Sequence, residues 1–552
     1  MKPVRKPLHA VLAGVLATAV ALAPTFSRAD ERESLEALRE TTLNLIEALV
    51  EQGIFSRAKA DTMVKAAQAK AQAAAKSRPK AAAAVRVQYV PETVKNEIRE
   101  QLKQEVLAQA RTERWAEPNS IPTWVDNLKW EGDLRVRYQV DQFDQGNASG
   151  LDYFNAAATG PTTFNTTRAA GFLDRTATAP QVSTANTRTK AEGYRLRARL
   201  GILAKMSEEW SGGIRLATGS TTNRVSTNQT LGQDWNKYTL TVDRAYAKYD
   251  PVEWFGVSAG RIPNPWFSTD LMWDEDLNFE GIAASIKGSF ANNTFKPFLT
   301  AGAFPIKAEA APITEGRWMN GVQAGAQWEF MSNSRLKLGA AWYGFSNFEG
   351  RVENDAAFLA GNAAYGQYAY GSSLRQKGNT LFRTNAASDG AGTTIWGLAS
   401  RFRPLNLTAS LDLAHFDPVH VVLTGDYVKN TAFDRTEIFG RTGHNLTDGK
   451  NYGYLYKMTV GMPQLKQRND WQVSYAYRYL GSDATVDAFT DSDFGLGGTN
   501  LKGYTLGLQY GLDRNAVLGL RWISAQAIDS FSLNPAHRFA VDVLQADVNV
   551  RF

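Results

Sequence analysis

Residues Leu128–Val140 read LKWEGDLRVRYQV, and their character changes at every step. Leu128, Trp130, Leu134, Val136, Tyr138 and Val140 take one phase, and Lys129, Glu131, Asp133, Arg135, Arg137 and Gln139 the other. Successive side chains of a β-strand point to opposite faces, so this segment has an apolar face and a charged one. A strand of a soluble sandwich alternates too. Recurrence and length separate the two cases. The period returns in Tyr194/Leu196/Ala198/Leu200 against Arg195/Arg197/Arg199, in Trp318 to Phe330, in Trp471 to Tyr479, and in Leu544 to Phe552. These runs are about ten residues or longer, where ordinary strands average about five or six and a tilted membrane strand needs about ten.

About sixteen such segments follow from residue 128, starting near 128, 193, 209, 237, 254, 279, 295, 317, 335, 395, 418, 451, 470, 502, 516 and 539. Short turns such as Ser207 to Glu209, Ala291 to Thr294 and Asp513 to Asn515 interleave with long links such as Asp141 to Glu192, Asn347 to Thr394 and Gly481 to Asn500. That alternation belongs to an outer-membrane barrel with periplasmic turns and extracellular loops. Aromatic residues support it. Trp130, Trp210, Trp254, Phe295, Trp328 and Trp471 fall at one end of the strands, while Tyr138, Tyr194, Trp342, Tyr427, Tyr452 and Tyr504 fall at the other. Two such rings match the two membrane interfaces. The alternation slips near Asp243 and Arg244, which predicts a β-bulge. The fold expected is an all-β transmembrane barrel of about 16 antiparallel strands, preceded by an α-helical periplasmic segment.

Residues 1–29 have a basic start (Lys2, Arg5, Lys6), an apolar run and Ser27-Arg28-Ala29, the parts of a secretory signal peptide. Residues 30–114 carry helical spacing, as in Leu35, Leu38, Thr42, Leu45 and Leu49, and predict a coiled-coil-like extension. A linker is expected over 115–127 and the barrel over 128–552. Of the formal charge of +6 over 552 residues, Lys2, Arg5, Lys6 and Arg28 lie in the signal, so the mature chain keeps too little basic excess for nucleic acid. No cysteine is present, which excludes a disulfide scaffold. The histidines at 9, 415, 420, 444 and 537 have no metal-ligand spacing, and the Gly-rich stretch Gly495 to Gly498 is no nucleotide fingerprint. Neither an enzyme nor a cofactor or metal site is expected.

A sixteen-stranded barrel is wide enough for water. On its inward faces Arg135, Arg137, Arg195, Arg197, Arg199 and Arg215 form a candidate basic ladder on one wall. The third extracellular loop, Pro263 to Asn278, supplies Asp270, Asp274, Glu275 and Asp276 as candidate constriction acids. Base opposed to acid across a water gap would set up a transverse field and tune ion selectivity.

WVDNLKWEGDLRVRYQV (Trp124 to Val140), GRIPNPW (Gly260 to Trp266), DLNFEG (Asp276 to Gly281), the closing VNVRF and the leader ESLEALRETTLNLIEALVEQGIF together resemble a porin family of Gram-negative outer membranes, whose members carry a periplasmic helical leader. The resemblance covers nearly the whole mature chain. It implies a pore for passive diffusion of small hydrophilic solutes and ions, a homo-oligomer with the trimer favoured, outer-membrane lipid around the barrel, and Phe552 as the terminal aromatic read by the barrel-assembly machinery. The alternative is a structural tether, with the N-terminal helices contacting the cell wall.

Overall fold

The computed structural model describes Lys65 and residues 127–153, 166–168, 186–308, 315–331, 333–353, 365–386, 394–446, 450–532 and 534–552. Lys65 is helical. The expected signal peptide, and the helical extension and linker apart from Lys65 and Asn127, lie outside the described residues.

Sixteen strands make the barrel: β1 (Leu128–Phe143), β2 (Ala191–Lys205), β3 (Trp210–Thr218), β4 (Leu240–Val252), β5 (Phe255–Pro263), β6 (Asn278–Lys287), β7 (Phe295–Lys307) and β8 (Arg317–Phe330) form the first half. The second half is β9 (Ser334–Ser346), β10 (Pro404–Phe416), β11 (Val419–Asn430), β12 (Tyr452–Gly461), β13 (Trp471–Leu480), β14 (Leu501–Gly511), β15 (Ala516–Ala527) and β16 (Ala540–Arg551). Each strand pairs antiparallel with the next, and β1 pairs with β16 from Asp133↔Arg551 to Phe143↔Val541, so the sheet closes on itself. Closure is what lets a sheet live in lipid, because it leaves no unpaired edge. The last residue finishes the seam: Gly132 and Phe552 exchange both backbone hydrogen bonds, at 3.0 and 3.1 Å. A Cβ on Gly132 would collide with the Phe552 ring, so this close approach requires glycine.

The two faces separate as alternation requires. Trp130, Leu134, Val136 and Tyr138 of β1 are exposed on the outside, where lipid belongs, while Asp133, Arg135, Arg137 and Gln139 are buried inside. Aromatic contacts link neighbouring strands at both ends, Trp210 to Tyr249 at 4.6 Å and Tyr138 to Tyr194 at 5.1 Å between centroids.

Most strand starts fall within two residues of the sequence expectation. The tenth does not: β10 begins at Pro404, not near 395. The apolar run there is real, but Trp396–Leu398 pairs with Leu381–Arg383 in a small sheet separate from the barrel sheet. Trp396 and Leu398 are buried in the same apolar cluster as Leu271, Trp273 and Tyr343, and Ala399 packs with Phe382, so the run is as apolar as a membrane strand. β4 begins at Leu240, three residues after the expected 237. The bulge is where the pattern slipped: Arg215 faces Arg244 and Leu216 faces Val242, leaving Asp243 as the extra residue. Its effect is to aim both Asp243 and Arg244 inward, where Asp243 meets Arg215 and Arg244 donates to Asn278 Oδ1 at 2.7 Å.

Candidate pore constriction

Three long loops leave the extracellular ends of the strands and turn into the lumen. Loop 3 (264–277) starts from β5 and buries Trp266, Leu271, Met272 and Trp273. Trp273 meets the Tyr343 ring of β9 at 5.1 Å and Phe279 of β6 at 5.1 Å, and Trp266 meets Tyr343 at 5.2 Å. An apolar run facing water would be unstable; these side chains hide by filling one side of the lumen. Polar anchors set the position. The Gln323 side chain of β8 accepts from Phe267 N and donates to Phe267 O, both at 2.8 Å. Asp426 of β11 accepts from Thr269 N at 3.2 Å and Thr269 Oγ1 at 2.6 Å.

Loop 7 (481–500) lies against loop 3: Asp274 N donates to Phe489 O at 3.0 Å, and Ser492 N to Asp274 Oδ2 at 2.9 Å. Loop 5, the connection from β9 to β10, locks loop 7 from behind. Asn379 Nδ2 donates to Ser482 O and Thr485 O, and Asn379 Oδ1 accepts from Asp487 N at 2.7 Å. The buried Lys377 ammonium donates to Gly495 O, Leu496 O and Gly497 O at 2.8, 2.8 and 2.5 Å. A buried backbone must have its hydrogen bonds made, and here side chains of one loop make them for the other.

With loop 3 filling one side, the charged wall borders a cavity of about 340 Å³. It brings together Arg135, Arg137 and Arg197 with all four acids of loop 3. Arg195 borders a second cavity of about 620 Å³ instead, and Ser492 borders both. Arg199 and Arg215 border neither of these two.

Base and acid meet at contact distance where the sequence reading sets them across water. Arg199 Nη1 lies 3.0 Å from Asp276, and both Arg197 and Arg199 reach Asp133, at 3.0 and 2.6 Å. Arg215 pairs with Asp243. Arg137 is clamped between Asp547 at 2.6 Å and Asp493 at 3.0 Å. The loop 3 acids divide: Asp274 and Asp276 are buried and bonded, whereas Asp270 and Glu275 are exposed.

Sequence reasoning missed Asp491 and Asp493 of loop 7. Asp491 pairs with Arg478 and Asp493 with both Arg137 and Arg521, each at 3.0 to 3.1 Å. The local signal was the spaced pair in Asp491-Ser492-Asp493, but nothing local says that a loop twenty residues long folds inward. Burial pushes the Asp491 carboxyl up to about 6, with Asp270 and Asp493 adding to the shift and Arg478 opposing it. For Asp493 burial acts the same way, but Arg137 and Arg521 outweigh it and hold the carboxyl well below the usual range. Asp274 is raised by burial and then by Asp491 and Asp276.

A closed sixteen-strand barrel with a lipid-facing apolar exterior and charged lumen is an outer-membrane channel. The chain belongs to the family described as "Putative porin", whose model matches residues 39–552. No curated protein matches it. Among solved structures, the outer membrane channel DcaP of Acinetobacter baumannii is similar with a TM-score of 0.38 and 10% identity, over 77% of this chain and 97% of that one. Salmonella typhi OmpF in complex with daunomycin is similar with a TM-score of 0.36 and 9% identity, over 77% of this chain and 97% of that one.

Proposed function

We propose that the protein is a passive diffusion porin for small hydrophilic solutes and ions, with its aqueous lane along the arginine-bearing wall. The observation that carries this is the charged cavity inside the barrel, roofed by loops 3 and 7 and adjoining a second cavity at Ser492. An apolar solute would strip water from the fixed charges and offer them nothing in return, while ions and polar solutes can take that water's place. Loop 3 acids and strand arginines act here as paired walls of one narrow gap.

The test is single-channel conductance of the purified mature chain in planar bilayers. Stepwise currents are expected, and they are expected to persist when residues 30–114 are removed. An inserted barrel that never conducts would refute the porin reading and bring forward the tether.

Selectivity is expected to depend on pH. Asp491, raised to about 6, is charged above that pH and neutral below it. Each proton taken up there removes one negative charge beside Arg478, Arg521, Asp270 and Asp493, so the lumen grows more positive and anion preference rises on acidification. Reversal potentials in a salt gradient at about pH 8 and about pH 5 measure this. A potential that does not move toward anions at the lower pH contradicts it.

A further inference from the structure

The charges that border the smaller cavity are sorted by origin. Among the described residues seven are basic and all seven stand on strands; seven are acidic and six of them hang from loops 3 and 7. Balanced charge of this kind favours neither ion strongly. It sets a positive wall against a negative roof.

Contact pairing then uses up most of these groups. Arg137, Arg197, Arg478 and Arg521 each have a carboxylate within 3.1 Å. Arg135 has none among the described residues. It is only 8% exposed, its Nη2 donates to the neutral Asn228 Oδ1 at 2.7 Å, and its buried Nε has no acceptor among them. A desolvated guanidinium without a carboxylate beside it is electrostatically uncompensated, and a carboxylate entering the cavity would supply that counter-charge. Lys457 and Arg551, also on the cavity wall, are exposed and keep their hydration. On the roof, Asp270 and Glu275 are exposed residues that make no ion pair among the described residues, with Lys457, Arg478 and Arg521 acting on Asp270 from beyond contact distance. One desolvated cation without a paired carboxylate and two acids without a paired cation therefore border a single cavity of about 340 Å³.

We propose that this cavity is a binding site for small zwitterions, the class of the free α-amino acids, with the solute carboxylate on Arg135 and its ammonium toward Asp270 and Glu275. The inference rests on the channel reading above and goes further in naming the solute class. A net-neutral dipolar solute gains from both walls at once. A simple anion gains from Arg135 and is repelled by the roof; a simple cation meets the reverse.

The test is osmotic swelling of liposomes carrying the full mature chain, with alanine and its uncharged isomer lactamide as the two solutes, corrected with protein-free liposomes. Having one molecular formula, they differ in charge and hardly in size. Alanine is expected to enter faster by about threefold or more. In Arg135→Gln, and separately in Asp270→Asn with Glu275→Gln, the alanine-to-lactamide ratio is expected to fall toward unity. Lactamide entry in the same liposomes shows that each variant is inserted and open. A wild-type ratio of one or below, in protein that conducts, overturns the zwitterion site and leaves the porin standing. A high ratio that survives both variants also overturns it, because selection would then lie elsewhere. Failure of both solutes to enter, together with absence of current, overturns the porin reading itself.

Discussion

Asp493→Asn is expected to shift the channel toward anions by roughly fourfold in permeability ratio at about 0.1 M salt. Asp493 accepts from Arg137 Nη1 at 3.0 and 3.1 Å and from Arg521 Nη1 at 3.1 Å. Asparagine keeps the shape and one acceptor but removes the charge, so two guanidinium groups lose a shared counterion. Arg137 retains Asp547; Arg521, about a third exposed, has no second carboxylate so close among the described residues. A unit charge acts on an ion ~6 Å away with about 0.7 kcal/mol in water, and screening at about 0.1 M cuts this to roughly 0.4 kcal/mol. Anion and cation feel it with opposite sign, so their ratio moves by roughly twice that energy, which is the fourfold change. Reversal potential in a salt gradient reads it directly. An unchanged ratio would place Asp493 outside the conduction path.

Replacing residues 264–277 by Asn-Gly is expected to raise single-channel conductance about two- to threefold. The graft is sterically natural because Pro263 and Asn278, at the ends of β5 and β6, already face each other as a strand pair. A two-residue Asn-Gly turn suits such a pair. What leaves the lumen is the bulk of Trp266, Leu271, Met272 and Trp273, and with it the roof acids. Loop 7 keeps its own anchors in loop 5 through Asn379 and Lys377, so the change reports on loop 3. Losing these buried apolar side chains, worth about 1.5–3 kcal/mol each, also lowers the temperature at which the barrel unfolds. Conductance equal to that of the parent would show that loop 3 fills space the ions never use.

Arg137 illustrates how far local reading reaches. Alternation alone puts it on the charged face of β1, and the structure finds it there, among the most deeply buried side chains. Its partners Asp493 and Asp547 are more than 350 residues away in the chain, and no pattern near Arg137 names them. The same holds for the 395–399 run. Its composition is that of a membrane strand, and only the pairing of Trp396–Leu398 with Leu381–Arg383 shows that it belongs to a folded loop.

Strand number, the inward and outward faces, the bulge at Asp243 and the long connections are all legible in the chain before it folds. These are local consequences of a period of two, of turn length and of the lipid's demand for an apolar exterior. The tertiary structure alone decided that loops 3, 5 and 7 fold into the lumen, that most wall arginines are neutralised at contact, and that Arg135 is left without a carboxylate. Those outcomes depend on groups brought together by closure of the barrel. Apolar loop residues bury against whichever wall they meet, and charges pair with whichever partner burial puts within reach.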